Sequence, residues 1–410
     1  MTAVVHRLHG EAQHYAWGGY EFIPALMRLD NAAQQPFAEW WMGDHPLAPS
    51  FVWVGGQWEE LGALIRRDPQ YWLGPDALAQ FGERLPFLLK ILDVRSMLSI
   101  QAHPTKAAAE AGFARENALG IPLDAPHRTF RDDNHKPEIM AALTPFWLLH
   151  GFRRPADIAV LWAERPGLSE LYTQLPHHDL KAMYKALMEM PQEEVDRWLQ
   201  PLAQQLLPEL QAHRLYKDEP DYWAALAFDT YTRDGHYDRG VFSVYLLNLV
   251  RLNPGEAIFQ AAGVPHAYLE GVNVELMANS DNVFRGGLTP KHINVGELMA
   301  NLSFDPVQPF IIQASSPEGL EVFPAPIPDF ELCRLALAPE ISYEWRPRRG
   351  PAIGLVLEGE LTLSDAAGEG VFRRGESFIA PHKAEFTCQA GPEGVAVYWA
   401  ALPERERVRE

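Results

Sequence analysis

The 410-residue chain is 47% hydrophobic and 22% charged, with 34 Pro and 30 Gly, a balance that excludes a single small scaffold, a disordered chain and a long coiled coil. Its 35 Lys and Arg face 54 Asp and Glu, a formal charge of −19. That sign is wrong for general attraction to nucleic acid or anionic lipid, so an anionic ligand must be caught by a local cluster of cations. Cys333 and Cys388 are too few for a disulfide framework or a four-thiolate zinc site, which leaves His and carboxylate to hold any metal. The opening MTAVVHRLHGEAQHYAWGG lacks the basic-then-apolar order of a secretory signal, and the purest apolar run, Phe242 to Val250, is interrupted by Asn248. A cytoplasmic protein is expected, with neither nucleic acid nor membrane as partner.

In chain order, the first strong pattern is Leu85 to Ala102, read as two buried strands separated by the polar Asp93-Val94-Arg95-Ser96. Thr105 suits the N-cap of an Ala-rich surface helix through Asn117, with Gly120 just past its end. Between Pro155 and Trp223 the period turns helical. Val195, Trp198, Leu199, Leu202 and Leu206 form one apolar stripe, with Pro201 and Pro208 expected to kink or divide it. Strand-like text resumes at GVFSVYLLNLVRL, and Asn253-Pro254-Gly255 reads as a tight turn between strands. After Asn301 the chain is strand-rich, ending in a charged tail, RERVRE. Gly255-Glu256-Ala257-Ile258-Phe259 followed by Pro265-His266 is echoed by Gly375-Glu376-Ser377-Phe378-Ile379 followed by Pro381-His382. Two related β-barrels around a helical insertion would explain this repeat.

The chemistry-bearing residues sit in four segments. In Ser99-Ile100-Gln101-Ala102-His103, strand alternation puts Ser99, Gln101 and His103 on one face. In His135-Lys136-Pro137-Glu138, Pro137 favours extended backbone at Lys136, so Lys136 and Glu138 point the same way at the mouth of the apolar Ile139-Met140-Ala141-Ala142. His266 follows a predicted strand and tight turn, a place suited to a metal held inside a small barrel. Gln101, His103, Glu138 and His266 would together offer two oxygens and two nitrogens, a set for zinc or another divalent ion. In the fourth segment, Arg285 and Lys291 could neutralise a phosphate, or Asp281 and Arg285 could pair on the surface. His177-His178-Asp179 reads as a helix start and His382 as a structural residue.

Taken together and in order, QHYAWGG, SIQAHP, DDNHKPE, LNPGEAIF, PHAYL and VELMANSDNVFRGGLTPK resemble the signatures of type I mannose-6-phosphate isomerases. The resemblance implies a mainly β fold: two cupin-type jelly-roll barrels plus an α-helical domain. The divisions are a metal-binding catalytic unit of residues 1–154 with 224–308, an inserted helical domain at 155–223 and a cupin-like unit at 309–410. It implies one zinc per chain on Gln101, His103, Glu138 and His266, and Arg285 as an active-site residue. His135, Lys136, Asp281 and Lys291 match positions lining the family's substrate pocket. Ser99, Tyr268 and Glu275, inside or beside the same motifs, are assigned with Lys136 and Lys291 to substrate binding. The implied reaction interconverts mannose 6-phosphate and fructose 6-phosphate through an enediolate; a monomer is expected. The proton carrier stays open between Lys136, Asp281, His135 and a metal-bound water. A cupin oxygenase with iron in the same cluster and a sugar-sensing cupin without turnover are the rival readings.

Overall fold

Two ten-stranded antiparallel sheets and twelve helices are found among the residues that the computed structural model describes, 4–313, 319–346 and 348–403. The RERVRE tail lies outside them. One sheet runs Leu247–Leu252, Phe146–Phe152, His266–Ala278, Phe87–Val94, Glu39–Met42, Glu11–Gln13, with four short strands branching from it. The other runs from Gly319–Phe323 through the long strands Phe386–Ala401 and Ala352–Asp365 to Ser377–Ala380, and then takes in His6–His9, Phe51–Val54 and Gln57–Glu60. The latter three strands were placed by sequence with the metal-binding unit. They belong instead to the C-terminal sheet, His6 lying opposite Ile379. Strand pairing over such separations leaves no local trace in the sequence.

Alternation along the central strands decides what each face does. Phe87, Leu89 and Ile91, with Val272, Val274 and Leu276 from the neighbouring strand, pack in one cluster with Leu332, Ile353, Leu355 and Tyr398 of the other sheet. Each such side chain contributes roughly 1.5–3 kcal/mol by leaving water, so the two sheets are locked face to face. The residues between them, Lys90, Glu275 and Glu138 among them, consequently point to the opposite side, into the interior of the first sheet. One apolar seam thus fixes the register of the polar face.

The repeated segments adopt the same turn. Gly255 and Gly375 have φ of 87° and 86°, a region that L side chains rarely adopt. In each turn a glutamate accepts from the backbone three residues earlier, Asn253 N to Glu256 and Arg373 N to Glu376, both at 2.7 Å. A strand follows each, Ala257–Gln260 and Ser377–Ala380.

Helices cover most of residues 155–246. Val195, Trp198, Leu199, Leu202 and Leu206 are all buried on Gln192–Gln211. Contrary to the sequence expectation, Pro201 and Pro208 do not divide this twenty-residue helix. The packing of the stripe outweighs the roughly 3 kcal/mol that an interior proline costs. Gly240–Leu246, read as strand, is a wholly buried helix that passes into the strand Leu247–Leu252. An apolar run buried on every side has no alternation by which to tell the two. Of the two buried strands expected between Leu85 and Ala102, Phe87–Val94 is long and the second is only Gln101–Ala102. The helix Lys106–Ala118 does begin at Thr105, whose side chain accepts from Ala108 N.

Candidate metal centre and substrate cavity

Pairing across the first sheet aligns distant residues in one row. His266 lies opposite His150 on one side and Gln101 on the other, and Gln101 in turn lies opposite Arg285. Residues directly opposite in a ladder share a face, so this row carries three of the predicted site residues toward one space. Glu138 opens the strand Glu138–Ala142, where it is opposite Gln260 and Met277.

His103, Glu138 and His266 converge. His103 Nε2 is 3.4 Å from Glu138 Oε1, and His266 Nε2 is 3.3 Å from Glu138 Oε2. The candidate ligand atoms of the three lie within 4.8 Å of one another, the one such group among the described residues. His103 Nε2, His266 Nε2 and Glu138 Oε2 are fully buried without a hydrogen-bond partner. Each ring is fixed from behind: a backbone carbonyl, Asn282 O at 2.8 Å and Val264 O at 3.0 Å, faces its Nδ1. An Nδ1 proton donated there leaves the Nε2 lone pair turned inward. Burial, above all, pushes the His103 pKa down to about 4, so the ring is neutral. Burial opposes ionisation of Glu138, but Lys136 and His103 outweigh it and hold its carboxyl well below the usual range. Two imidazoles and a carboxylate with orphaned inward atoms fit a divalent cation. Gln101, opposite His266 in the ladder, lines a cavity together with Glu138.

That cavity measures about 540 Å³, and its walls include Ser99, Gln101, Lys136, Glu138, Tyr268, Glu275, Arg285 and Lys291. Lys136 Nζ is 3.0 Å from Glu138 Oε1, the side-by-side placement that alternation predicts. Tyr268 donates to Glu275 Oε1 at 2.8 Å. Burial, with the charge of Glu138 second, raises the Glu275 pKa to about 7. Arg285 and Lys291 sit at the rim without a carboxylate partner among the described ion pairs. Burial lowers the pKa of both, and their mutual repulsion, with Arg131 adding to it, lowers that of Lys291 further. Cations held together without counter-charge favour an anion between them.

Two predicted residues are placed elsewhere. His135 turns away from this cavity to Asp329, its Nε2 2.8 Å from Oδ1, and lines a separate cleft of about 200 Å³. Asp281 pairs with buried His45 at 3.3 Å rather than with Arg285, and its side chain is 42% exposed. Loop residues obey no fixed alternation, so their direction could not be read from spacing.

Sequence reading missed Lys90 and Glu39. Both are buried, Lys90 Nζ lying 3.2 Å from Glu39 and 3.6 Å from Glu275, above the Trp41 ring. Burial works to lower the Lys90 pKa, but Glu39 and Glu275 outweigh it and raise it. The signal was present: a lysine inside FLLKILDV, wholly buried, is tolerable only with partners. Thr230 and Tyr231, at the end of the helix Pro220–Tyr231, close the cavity from the helical side. Nothing local marks them.

Residues 5–155 match the family "Phosphomannose isomerase type I, catalytic domain". The mannose-6-phosphate isomerase of Escherichia coli (strain K12) is 38% identical over 401 residues, spanning 96% of this chain and 99% of its own. That of Salmonella typhimurium is 40% identical over 379 residues, spanning 90% and 93%. The chain belongs to the type I phosphomannose isomerase family. Among solved family structures, the Salmonella typhimurium enzyme bound to fructose 6-phosphate and zinc superposes with a TM-score of 0.85 at 36% identity, covering 98% of this chain and 100% of that one. A zinc-bound holo structure gives 0.86 with the same coverage. Of the family motifs quoted from the sequence, all but LNPGEAIF contribute residues to the cavity wall, while His135 and Asp281 within them face other partners.

Proposed function

We propose that this chain interconverts mannose 6-phosphate and fructose 6-phosphate in the 540 Å³ cavity, with Gln101, His103, Glu138 and His266 holding one zinc ion. The observation that carries the reading is the set of three buried, unpartnered ligand atoms on His103, His266 and Glu138, with Glu138 also lining a cavity that Arg285 and Lys291 line. A divalent ion bound there supplies Lewis-acid stabilisation of negative charge on the sugar oxygens at C1 and C2. Arg285, unneutralised and half-buried, adds preorganised positive charge beside the developing enediolate. Lys291, further out, takes the phosphate as a point charge. Lys136, tied to Glu138, and Ser99 orient the hydroxyl groups.

Glu275 is the group best suited to move the proton between C2 and C1. It lines the cavity, and its raised pKa near 7 lets one carboxyl both accept and return a proton at neutral pH. Tyr268 and Lys90 hold its two oxygens. His135 and Asp281, facing other partners, then support the loops rather than the reaction. The two strand-rich parts are read as cupin-type jelly rolls, and 155–223 as the helical domain. The shared turn at Gly255 and Gly375 supports that reading. A cytoplasmic monomer is the accompanying expectation; no described helix is long and apolar enough to cross a membrane.

Incubation with mannose 6-phosphate should yield ketose, chelation should abolish it and zinc should restore it. Recovered sugar should carry solvent hydrogen at the transferred position. Binding of the sugar phosphate with no turnover in the zinc-loaded protein would overturn the assignment in favour of a sensor.

A further inference from the structure

Two loops, 131–134 and 279–282, meet behind the metal centre, and Asn282 joins them. It is fully buried, and its amide is satisfied on every side. Oδ1 accepts from Arg131 N at 2.7 Å, while Nδ2 donates to Asn134 O at 2.8 Å and Asp132 O at 2.9 Å. Asp132 Oδ1 lies 3.1 Å from the same Nδ2. On its main chain, Asn282 O is the carbonyl that faces His103 Nδ1 at 2.8 Å. Lys136 and Glu138 follow directly from the clamped loop, and Arg285 follows Asn282 by three residues.

The surroundings present two donors, Arg131 N and Asp132 N, and three acceptors to a single short planar group. A primary amide of Asn length answers them with one acceptor oxygen and two donor hydrogens. Aspartate would keep the contact with Arg131 N but turn an acceptor toward three acceptors; glutamine would overreach. The chemistry of the pocket thus demands asparagine, although Asn282 touches neither the cavity nor a ligand atom.

We infer that Asn282 is a positioning residue that sets metal affinity and turnover together, holding the His103 ring from behind while fixing the loop that delivers Lys136 and Glu138. The inference rests on the metal-site reading above. Such outer partners of metal ligands are each worth about 10–100-fold in affinity or activity.

The test compares wild type and Asn282→Asp. The zinc dissociation constant is measured by competition with a chromophoric chelator, alongside kcat, KM and the melting temperature of metal-free protein. N282D should bind zinc about 10–100-fold more weakly and lose kcat by a similar factor, with KM for mannose 6-phosphate moved by no more than about threefold. The swap N282D/D132N puts a donor back opposite the new carboxylate and should recover part of the zinc affinity. If N282D does not fold, Ser280→Ala removes one hydroxyl from the same clamp, where Oγ reaches Asp132 Oδ1 at 2.8 Å; it should weaken zinc binding by a few-fold, roughly the value of one hydrogen bond. A soluble variant with a lowered melting temperature but wild-type zinc affinity and kcat would overturn the inference. Wild-type protein that neither binds zinc nor isomerises would sink the functional reading instead.

Discussion

The two sheets share a turn, a strand and a following Pro-His, yet they do opposite things with the space they enclose. In the first, the residues turned inward are Lys90, Glu138, Glu275, His103 and His266, a polar interior lined by groups that each need a partner. In the second, the corresponding space is filled by Trp345, Phe386 and Trp399, stacked with Trp399 4.6 Å from Trp345 and 6.0 Å from Phe386, and by Phe378, edge-on to Phe386 and Trp399. His382, the counterpart of His266, lies beside a groove of about 1160 Å³, larger than the 540 Å³ cavity of the first sheet. No second group of ligating side chains accompanies it among the described residues. Volume therefore does not make a site; convergence of unsatisfied polar atoms does. The comparison teaches that a common frame supplies positions, while the interior face decides between chemistry and packing.

The sharpest way to break this contrast is to remove one histidine from each copy. His266→Ala should lose zinc and lower kcat/KM on the order of 10³-fold or more, since several kcal/mol of Lewis-acid stabilisation are at stake. His382→Ala should leave zinc content and kcat at wild-type values. Equal losses in the two variants would show the second sheet to be part of the reaction.

Next in size is Glu275→Gln, which keeps the shape of the side chain but cannot carry a proton. Its kcat should fall by about 10²–10⁴-fold with zinc retained. In wild type the carboxylate form is the one that accepts the C2 proton, so kcat should rise with pH as Glu275 ionises. Burial and the charge of Glu138 raise the Glu275 pKa, and a bound cation, which favours the charged form, should move that midpoint down. An acid limb that survives unchanged in E275Q would assign the proton to another group.

Arg285→Ala should reduce kcat by about 10²–10³-fold, the usual loss for one group stabilising an oxyanion, with metal content unaltered. If the loss appears in KM alone, Arg285 binds phosphate rather than the reacting oxygens.

The smallest effect on turnover belongs to the packed interior. Trp399→Ala should destabilise the protein by about 3–5 kcal/mol, read as a lowered denaturation midpoint. At a temperature where the variant remains folded, its kcat should match wild type.

Much of the site was legible without coordinates because its signals are local. Alternation placed Lys136 beside Glu138. Thr105 and Gly255 act through backbone groups a few residues away, so their roles as cap and turn were readable as well. The apolar period of 195–206 was a property of one helix and needed no partner. Residue types alone were enough to exclude thiolate metal sites and to require a local cationic cluster for a phosphate.

Tertiary structure decided what depends on residues far apart in the chain. It assigned His6–His9 and Phe51–Glu60 to the C-terminal sheet, turned His135 and Asp281 toward Asp329 and His45, and brought Lys90 and Glu39 to the cavity wall. It also kept Pro201 inside a continuous helix. The physical reason is common to all of them. A backbone preference is settled by near neighbours, but the direction of a loop side chain and the worth of a buried charge are settled by whichever distant groups come to surround it.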